Sequence, residues 1–403
     1  MRKMKDSGVA WVGAIPEDWT VKRGKFTLKL LNRPVKETDD VITCFRDGEV
    51  TLRTNRRTDG FTVSVKEIGY QGIEPGDLVI HGMDGFAGSI GISDSRGKSS
   101  PVLVVCDTDE NKRYIMYYLR SMAYNDVFTA LATGIRVRSC DLRWNKLAEL
   151  PCILPSLEEQ NQIVLAIESS TSKVDALIAN VQAQIEKLKT YKQSLITEVV
   201  TKGLDPNVPM KDSGVEWIGK IPKHWNMIRF RFIAKITTGN QDTQNADPDG
   251  MYPFYVRSPI VERCNNYTFE GKGILMAGDG AGAGRVFHLV NGKYAVHQRV
   301  YRFYDFKYMN PVLLKFYLEN LFATVMDYGS AKTTVPSVRL PMIQDFPVCV
   351  PPEDEQLKML EVLSEKTNKI DRFIAVKQTK IEKLEQYKRS LIYEYVTGKK
   401  EVS

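Results

Sequence analysis

Arginine carries a planar fork of donors that matches guanine in the major groove, and asparagine or glutamine matches adenine in the same paired way. This chain gathers such groups in four short stretches. Arg53, Asn55, Arg56 and Arg57 lie in one run. Arg136 and Arg138 follow Gly134, with Arg143 nearby. Asn240 and Gln241 follow Gly239, ahead of Gln244 and Asn245. Lys332, Thr333 and Thr334 follow Gly329, with Arg339 beyond them. The chemistry expected of these groups is DNA contact without catalysis, and spacing alone does not separate phosphate contacts from base contacts. For any single residue the competing reading is a solvated loop charge.

Other chemistries lack their residues. The six cysteines (Cys44, Cys106, Cys140, Cys152, Cys264, Cys349) are scattered with no CxxC pair, which reads as core thiols in a reducing compartment. The four histidines show no HExxH spacing, so no metal site is expected. Gly278–Gly284 (GDGAGAG) suggests a dinucleotide fingerprint, but that motif must open a helix, and Arg285–Val290 reads as strand. The equivalent place earlier in the chain is Asp84–Gly88 (DGFAG), and both read as glycine turns between strands. Gly91 to Gly97-Lys98-Ser99 misses a P-loop by one residue of spacing. Pro351-Pro352, flanked by Val350 and Glu353, does not form the [DNS]PP[FY] motif of amino-methyltransferases. No catalytic, cofactor-binding or metal-binding residue is therefore assigned. No stretch is long and apolar enough to span a membrane, and Met1–Asp18 lacks a signal-peptide core, so a cytoplasmic chain is expected.

The elements that must position the donor clusters come from an internal repeat. Met4–Trp19 (MKDSGVAWVGAIPEDW) recurs as Met210–Trp225 (MKDSGVEWIGKIPKHW), identical at eleven of sixteen positions. Glu159-Gln160 recurs as Glu355-Gln356, and Ile185–Glu198 recurs in part as Ile381–Glu394. The blocks between these shared parts, 20–153 and 226–349, differ almost throughout. A common frame carrying two unlike inserts suggests two specificities on one architecture.

After each insert comes a long run without Pro or Gly. Val174, Ile178, Val181, Ile185, Leu188, Lys192, Leu195 and Val199 alternate in steps of four and three, and so do Ile370, Ile374, Lys377, Ile381, Leu384, Lys388, Leu391 and Tyr395. This is the seam of a coiled coil. Pro155 and Pro351-Pro352 mark starts, and Gly203 and Gly398 mark ends. Each helix should run roughly 65–70 Å at 1.5 Å per residue. The obvious partner for each is the other copy, in antiparallel pairing about a pseudo-twofold axis. Val174, Ile178, Val181, Ile185, Leu188 and Leu195 would face Ile370, Ile374, Ile381, Leu384 and Leu391. Lys192 and Lys388 are expected to snorkel from the seam edge.

The inserts read as mixed α and β. Strands are expected at Thr62–Val65, Asp77–His81, Ile90–Ser93 and Val102–Cys106, then at Gly273–Ala277, Arg285–Val290 and Val300–Tyr304. Helices are expected at Lys112–Met122 and Pro311–Phe322. The fold class is therefore α+β: 1–153 as a first recognition domain, 154–204 as a central helix, 205–349 as a second recognition domain and 350–403 as a C-terminal helix. The net charge of +7 sits mainly on the inserts, with 20 Lys/Arg against 17 Asp/Glu in 20–153 and 14 against 10 in 226–349. Two folded surfaces facing an anion would show this distribution.

The frame resembles the specificity subunits of type I restriction–modification enzymes. The resemblance lies in KDSGVxWxGxIPxxW opening each half, in Leu154–Gln160 (LPSLEEQ) with its altered counterpart Val350–Gln356, and in IEKLxxYKxSLIxE. It covers nearly the whole chain. It implies two target recognition domains reading the halves of a bipartite, asymmetric site in double-stranded DNA, with the paired helices setting the spacer. It also implies docking of two methyltransferase (modification) subunits and two translocating endonuclease (restriction) subunits. S-adenosylmethionine, ATP and Mg would sit on those partners, and this chain would catalyse nothing. The alternatives are a coiled-coil adaptor for proteins and the specificity module of a methylation-only or silent system.

Overall fold

A computed structural model describes residues 2–56, 67–130, 142–329 and 336–402, without the side chains of 325–329. The expected strand Thr62–Val65 and Cys140 lie outside the described residues.

In the first half, Leu78–His81 pairs antiparallel with Ile90–Ile92 on one side and Leu103–Asp107 on the other, and Leu103–Asp107 pairs with Lys29–Leu30. These strands read as apolar runs because both faces of the sheet are covered. Leu78, Ile80, Val104 and Cys106 face the main core, whereas Val79, Leu103 and Val105 face a second cluster with Ile42, Cys44, Val50 and Ile73. The helix Lys112–Tyr124 lies on the main core, burying Tyr114, Ile115, Tyr118, Leu119 and Met122 at helical spacing. Asn111 caps it, its side chain accepting from the backbone N–H groups of Arg113 and Tyr114.

The second half repeats this plan. Gly273–Ala277 pairs antiparallel with Phe287–Val290 and with Val300–Tyr304, which pairs with Lys235–Thr238. The helix Pro311–Gly329 buries Leu313, Leu314, Tyr317, Leu318, Leu321 and Phe322. The additions differ. The second half builds another four-stranded sheet from Glu262–Cys264, Tyr252–Tyr255, Lys293–Val296 and Phe269–Glu270, where the first half has two separate pairs, Ile42–Cys44 with Val50–Leu52 and Gln71–Ile73 with Gly97–Ser99. The unlike inserts are therefore unlike decorations on one sheet-and-helix frame.

The long helices are Leu157–Lys202 and Glu353–Val396. The chain divides into two units, Met1–Val181 with Thr379–Ser403, and Gln182–Gln378, so each unit takes part of both long helices. In the first unit Ile163, Val164, Ile167 and Val174 share a core with Leu391, Ile392, Tyr395 and Val396. In the second, Leu195, Ile196, Val199 and Val200 share one with Met359, Leu363 and Ile370.

The seam lysines do more than snorkel. Lys192 Nζ donates to both carboxylate oxygens of Asp371 at 2.8 and 2.6 Å within the second unit. Lys388 does the same to Asp175, at 2.7 and 2.8 Å, within the first. The expectation placed their heads in water. The aspartate of the other long helix comes alongside each of them instead.

The repeated tryptophans are explained by the ends of these helices. Trp19 is 1% exposed, and its Nε1 donates to Glu159 Oε2 at 3.0 Å. Trp225 is fully buried and donates to Glu355 Oε2 at 2.9 Å. Gly398, at φ +70°, closes over Pro16 and Trp19, and Gly203, at φ +78°, closes over Trp225. A Cβ on Gly398 would come within 2.3 Å of Pro16 Cδ, so a side chain is excluded as well as strained there. Each tryptophan thus sits between the start of one long helix and the end of the other. The neighbouring glutamines fasten the domain helices. Gln160 accepts from Asn111 N at 2.9 Å and Gln356 from Asn310 N at 2.7 Å, while their amides donate to Pro155 and Pro351 carbonyls.

Candidate nucleic-acid interface

In each unit the described members of the donor clusters border the turn that follows the central strand. After Leu78–His81 the turn is Gly82–Gly88; after Gly273–Ala277 it is Gly278–Gly284. Strands flank both turns, as expected, so the glycines serve a hairpin and not a helix-borne dinucleotide loop. The left-handed φ of +94° at Gly88 and +75° at Gly280 is why glycine is needed at those points.

The segment that follows each basic loop docks on its turn through one repeated bond. Leu142 N donates to Gly82 O at 2.9 Å, and Val338 N to Gly278 O at 2.8 Å. Arg136 and Arg138 lie outside the described residues, as do Lys332, Thr333 and Thr334, but the chain re-enters beside the turn in both cases. Arg143 is exposed ahead of the short helix Trp144–Leu147, and Arg339 is exposed ahead of Leu340–Gln344.

The first cluster is tied to the same rim by the hairpin tip 45–49. Arg56 bonds Asp47 at 2.7 Å and Glu49 at 3.0 Å, with its guanidinium 4.2 Å from the Phe45 ring centroid. Asn55 donates to Thr51 Oγ1 at 2.8 Å, and Arg53 Nε to Thr43 Oγ1 at 3.4 Å. These groups stitch the hairpin together, so part of their donor capacity is spent inside the domain. Arg57 lies outside the described residues. In the second unit Asn240 is exposed, and Gln241 joins the rim through its backbone, bridging to His297.

Sequence reasoning missed the aspartates and arginines of the turns. Asp84 receives Arg46 at 3.1 Å. Asp279, with a side chain 14% exposed, receives Arg257 at 3.0 Å and Arg299 at 2.8 Å. Arg257, Asp279, Gly280, Gly282 and Thr243 line an open concavity of about 600 Å³. The repeated Asp-Gly after a buried strand was the available signal. Which arginines it holds is set by contacts 20 to 38 residues apart in sequence.

Two histidines shape these rims as acceptors. His81 Nδ1 accepts from Asp84 N at 2.9 Å, and His297 Nδ1 from Arg299 N at 3.0 Å. Burial holds both imidazoles below the ordinary histidine value, which favours the neutral ring whose Nδ1 can accept. The buried cysteines among the described residues of the first unit are held as neutral thiols. Cys44, Cys106 and Cys152 are buried, and burial pushes each thiol up to about 12. Among the described residues no group of three or more His, Cys, Asp or Glu could hold a metal, and no helix is long and apolar enough to cross a membrane.

Comparison with known proteins agrees with this architecture. Residues 222–386 match the family described as type I restriction modification DNA specificity domain. The chain is 23% identical over 438 residues to the putative type I restriction enzyme MjaX specificity subunit of Methanocaldococcus jannaschii, covering 96% of this chain and 95% of that one. It is 28% identical over 173 residues to the EcoDI specificity subunit of Escherichia coli, covering 42% of this chain and 35% of that subunit. A chain from a structure described as the basis of complex assembly and conformational transition of the type I R-M system shares the fold, with a TM-score of 0.69 at 15% identity over 95% of this chain and 98% of that one. Both of these relatives are named specificity subunits. Along nearly its whole length the chain is similar to type I restriction enzyme specificity subunits, and residues 222–386 match the type I restriction modification DNA specificity domain.

Proposed function

We propose that the chain reads a bipartite, asymmetric site in double-stranded DNA, each recognition domain contacting one half. The observation that carries this is one frame built twice with different additions, each frame carrying a glycine turn whose aspartate holds arginines from elsewhere in its domain. Arg136, Arg138 and Arg143 in the first domain, and Asn240, Gln241, Lys332, Thr333, Thr334 and Arg339 in the second, supply donors to DNA. Arg53, Asn55, Arg56 and Arg57 border the first contact surface. The long helices form an intramolecular antiparallel coiled coil that sets the unspecified spacer. It also offers docking surfaces to modification and restriction subunits, and S-adenosylmethionine, ATP and Mg act on those partners. The complex works in the cytoplasm.

The test is methylome sequencing of a host expressing this chain with its methyltransferase. Modified adenines should fall in a split motif with unlike halves. Replacing residues 20–153 with another such domain should change one half and leave the other. A continuous motif, or a swap that changes both halves, overturns the reading.

A further inference from the structure

The glycine turns hold arginines in a way that stability does not explain. An ion pair at a protein surface contributes about 0–1 kcal/mol. Yet Asp279 is recessed, at 14% exposure, and carries two guanidiniums that project from it, Arg257 at 43% and Arg299 at 63%. Asp84 holds Arg46, itself 69% exposed. In each of the three pairs one terminal nitrogen of the fork is held, while the arginine side chain stays 43–69% exposed.

The glycines close on the same arginines. A Cβ on Gly282 would lie 2.6 Å from Arg257 O, and one on Gly278 would lie 2.8 Å from Arg299 O. In the first domain a Cβ on Gly88 would lie 3.3 Å from Arg46 O. The turns therefore grip the arginines twice, at the backbone through missing side chains and at the guanidinium through the aspartate. A long flexible side chain held this way loses less freedom when it binds. An oriented guanidinium is the form in which arginine discriminates guanine by two parallel bonds.

We propose that Asp279 and Asp84 are positioning residues for base readout, Asp279 setting Arg257 and Arg299, and Asp84 setting Arg46, as specificity-determining donors of their domains. The inference rests on the DNA-reading function above. It adds residues outside the basic loops, and it assigns the GDGAGAG stretch a role other than nucleotide binding.

The experiment is selection of the full-length chain on a randomised duplex pool, with affinity then measured on the selected duplex. Wild type should enrich a split motif. Asp279→Asn keeps the size of the side chain and removes its charge. It should relax one half of the motif and weaken binding to the selected duplex roughly 5- to 150-fold, the range of one good bidentate contact. Arg257→Lys and Arg299→Lys keep the charge and lose the fork. They should relax the same half while leaving the salt dependence of binding unchanged. Asp84→Asn and Arg46→Lys should act on the other half.

The same motif and affinity from all five variants overturns the proposal. If Asp279→Asn lowers the melting temperature, the two lysine variants of the second domain decide, because they leave the backbone of the turn in place. A wild-type chain that enriches nothing overturns DNA reading itself, which separates that failure from failure of the positioning role.

Discussion

At the scale of residues, the repeated motifs serve two different ends. Glu159 and Glu355 lie in the boxes that resemble a family signature, and their work is internal: each accepts the indole N–H of a buried tryptophan. Glu159 also pairs with Arg2, and Glu355 with His224 at 2.5 Å. Replacing Glu159 by Ala leaves the Trp19 N–H buried without this acceptor, a loss of about 1–3 kcal/mol. Chemical denaturation should show it, and Glu159→Gln, which retains an acceptor, should recover much of it. Equal stability of the two variants would mean that the indole bond carries no weight. The readout residues are the opposite case. Arg46, Arg257 and Arg299 stand outside any repeated motif, and they become visible only when folding brings distant aspartates to them. A donor-rich run such as 53–57 was easy to see in the sequence. What the sequence hid is that Arg56 turns back to Asp47, Glu49 and Phe45.

At the scale of elements, periodicity carried most of the information. The central strands, the domain helices and both long helices follow from apolar spacing, and their proline starts and glycine ends fall where expected. The strand expected at Arg285–Val290 begins only at Phe287, because the backbone N–H groups of Arg285 and Val286 both turn back to Gly282 O. The seam lysines are salt-bridged across to the other long helix. Lys192 and Asp371 lie 179 residues apart in sequence, so their pairing shows only once the chain is folded. A double-mutant cycle on Lys192→Ala and Asp371→Ala should give a coupling of about 0.2–1 kcal/mol, since the Lys192 side chain is 28% exposed and that of Asp371 54%. The coupling should shrink at high salt. No measurable coupling at low salt would reduce this pair to packing.

At the scale of the whole molecule, the net charge of +7 is modest, and its concentration on the two inserts matters more than its size. If both domains lie on duplex DNA, phosphate neutralisation should dominate affinity and make it steeply salt-dependent. Between 50 and 200 mM salt, binding should weaken roughly 10³-fold, the loss expected for about six phosphate contacts. Affinity insensitive to salt would argue for an adaptor that binds proteins. The duplicated plan was legible because eleven identical positions survive in its opening segment. The division into packed units was not, because no local pattern shows that Leu391, Ile392, Tyr395 and Val396 complete a core begun by Val9, Val12 and Ile15.

That last arrangement bears on synthesis. The core of the first unit is built from residues near both ends of the chain, and Tyr114 donates its hydroxyl to Val396 O at 3.2 Å. On the ribosome, the residues to Val181 emerge early and then wait for Thr379–Ser403 before their unit can close. The second unit draws on one uninterrupted stretch, Gln182–Gln378, and can be finished while the earlier one still stands open. The part of the protein made first is therefore the part completed last.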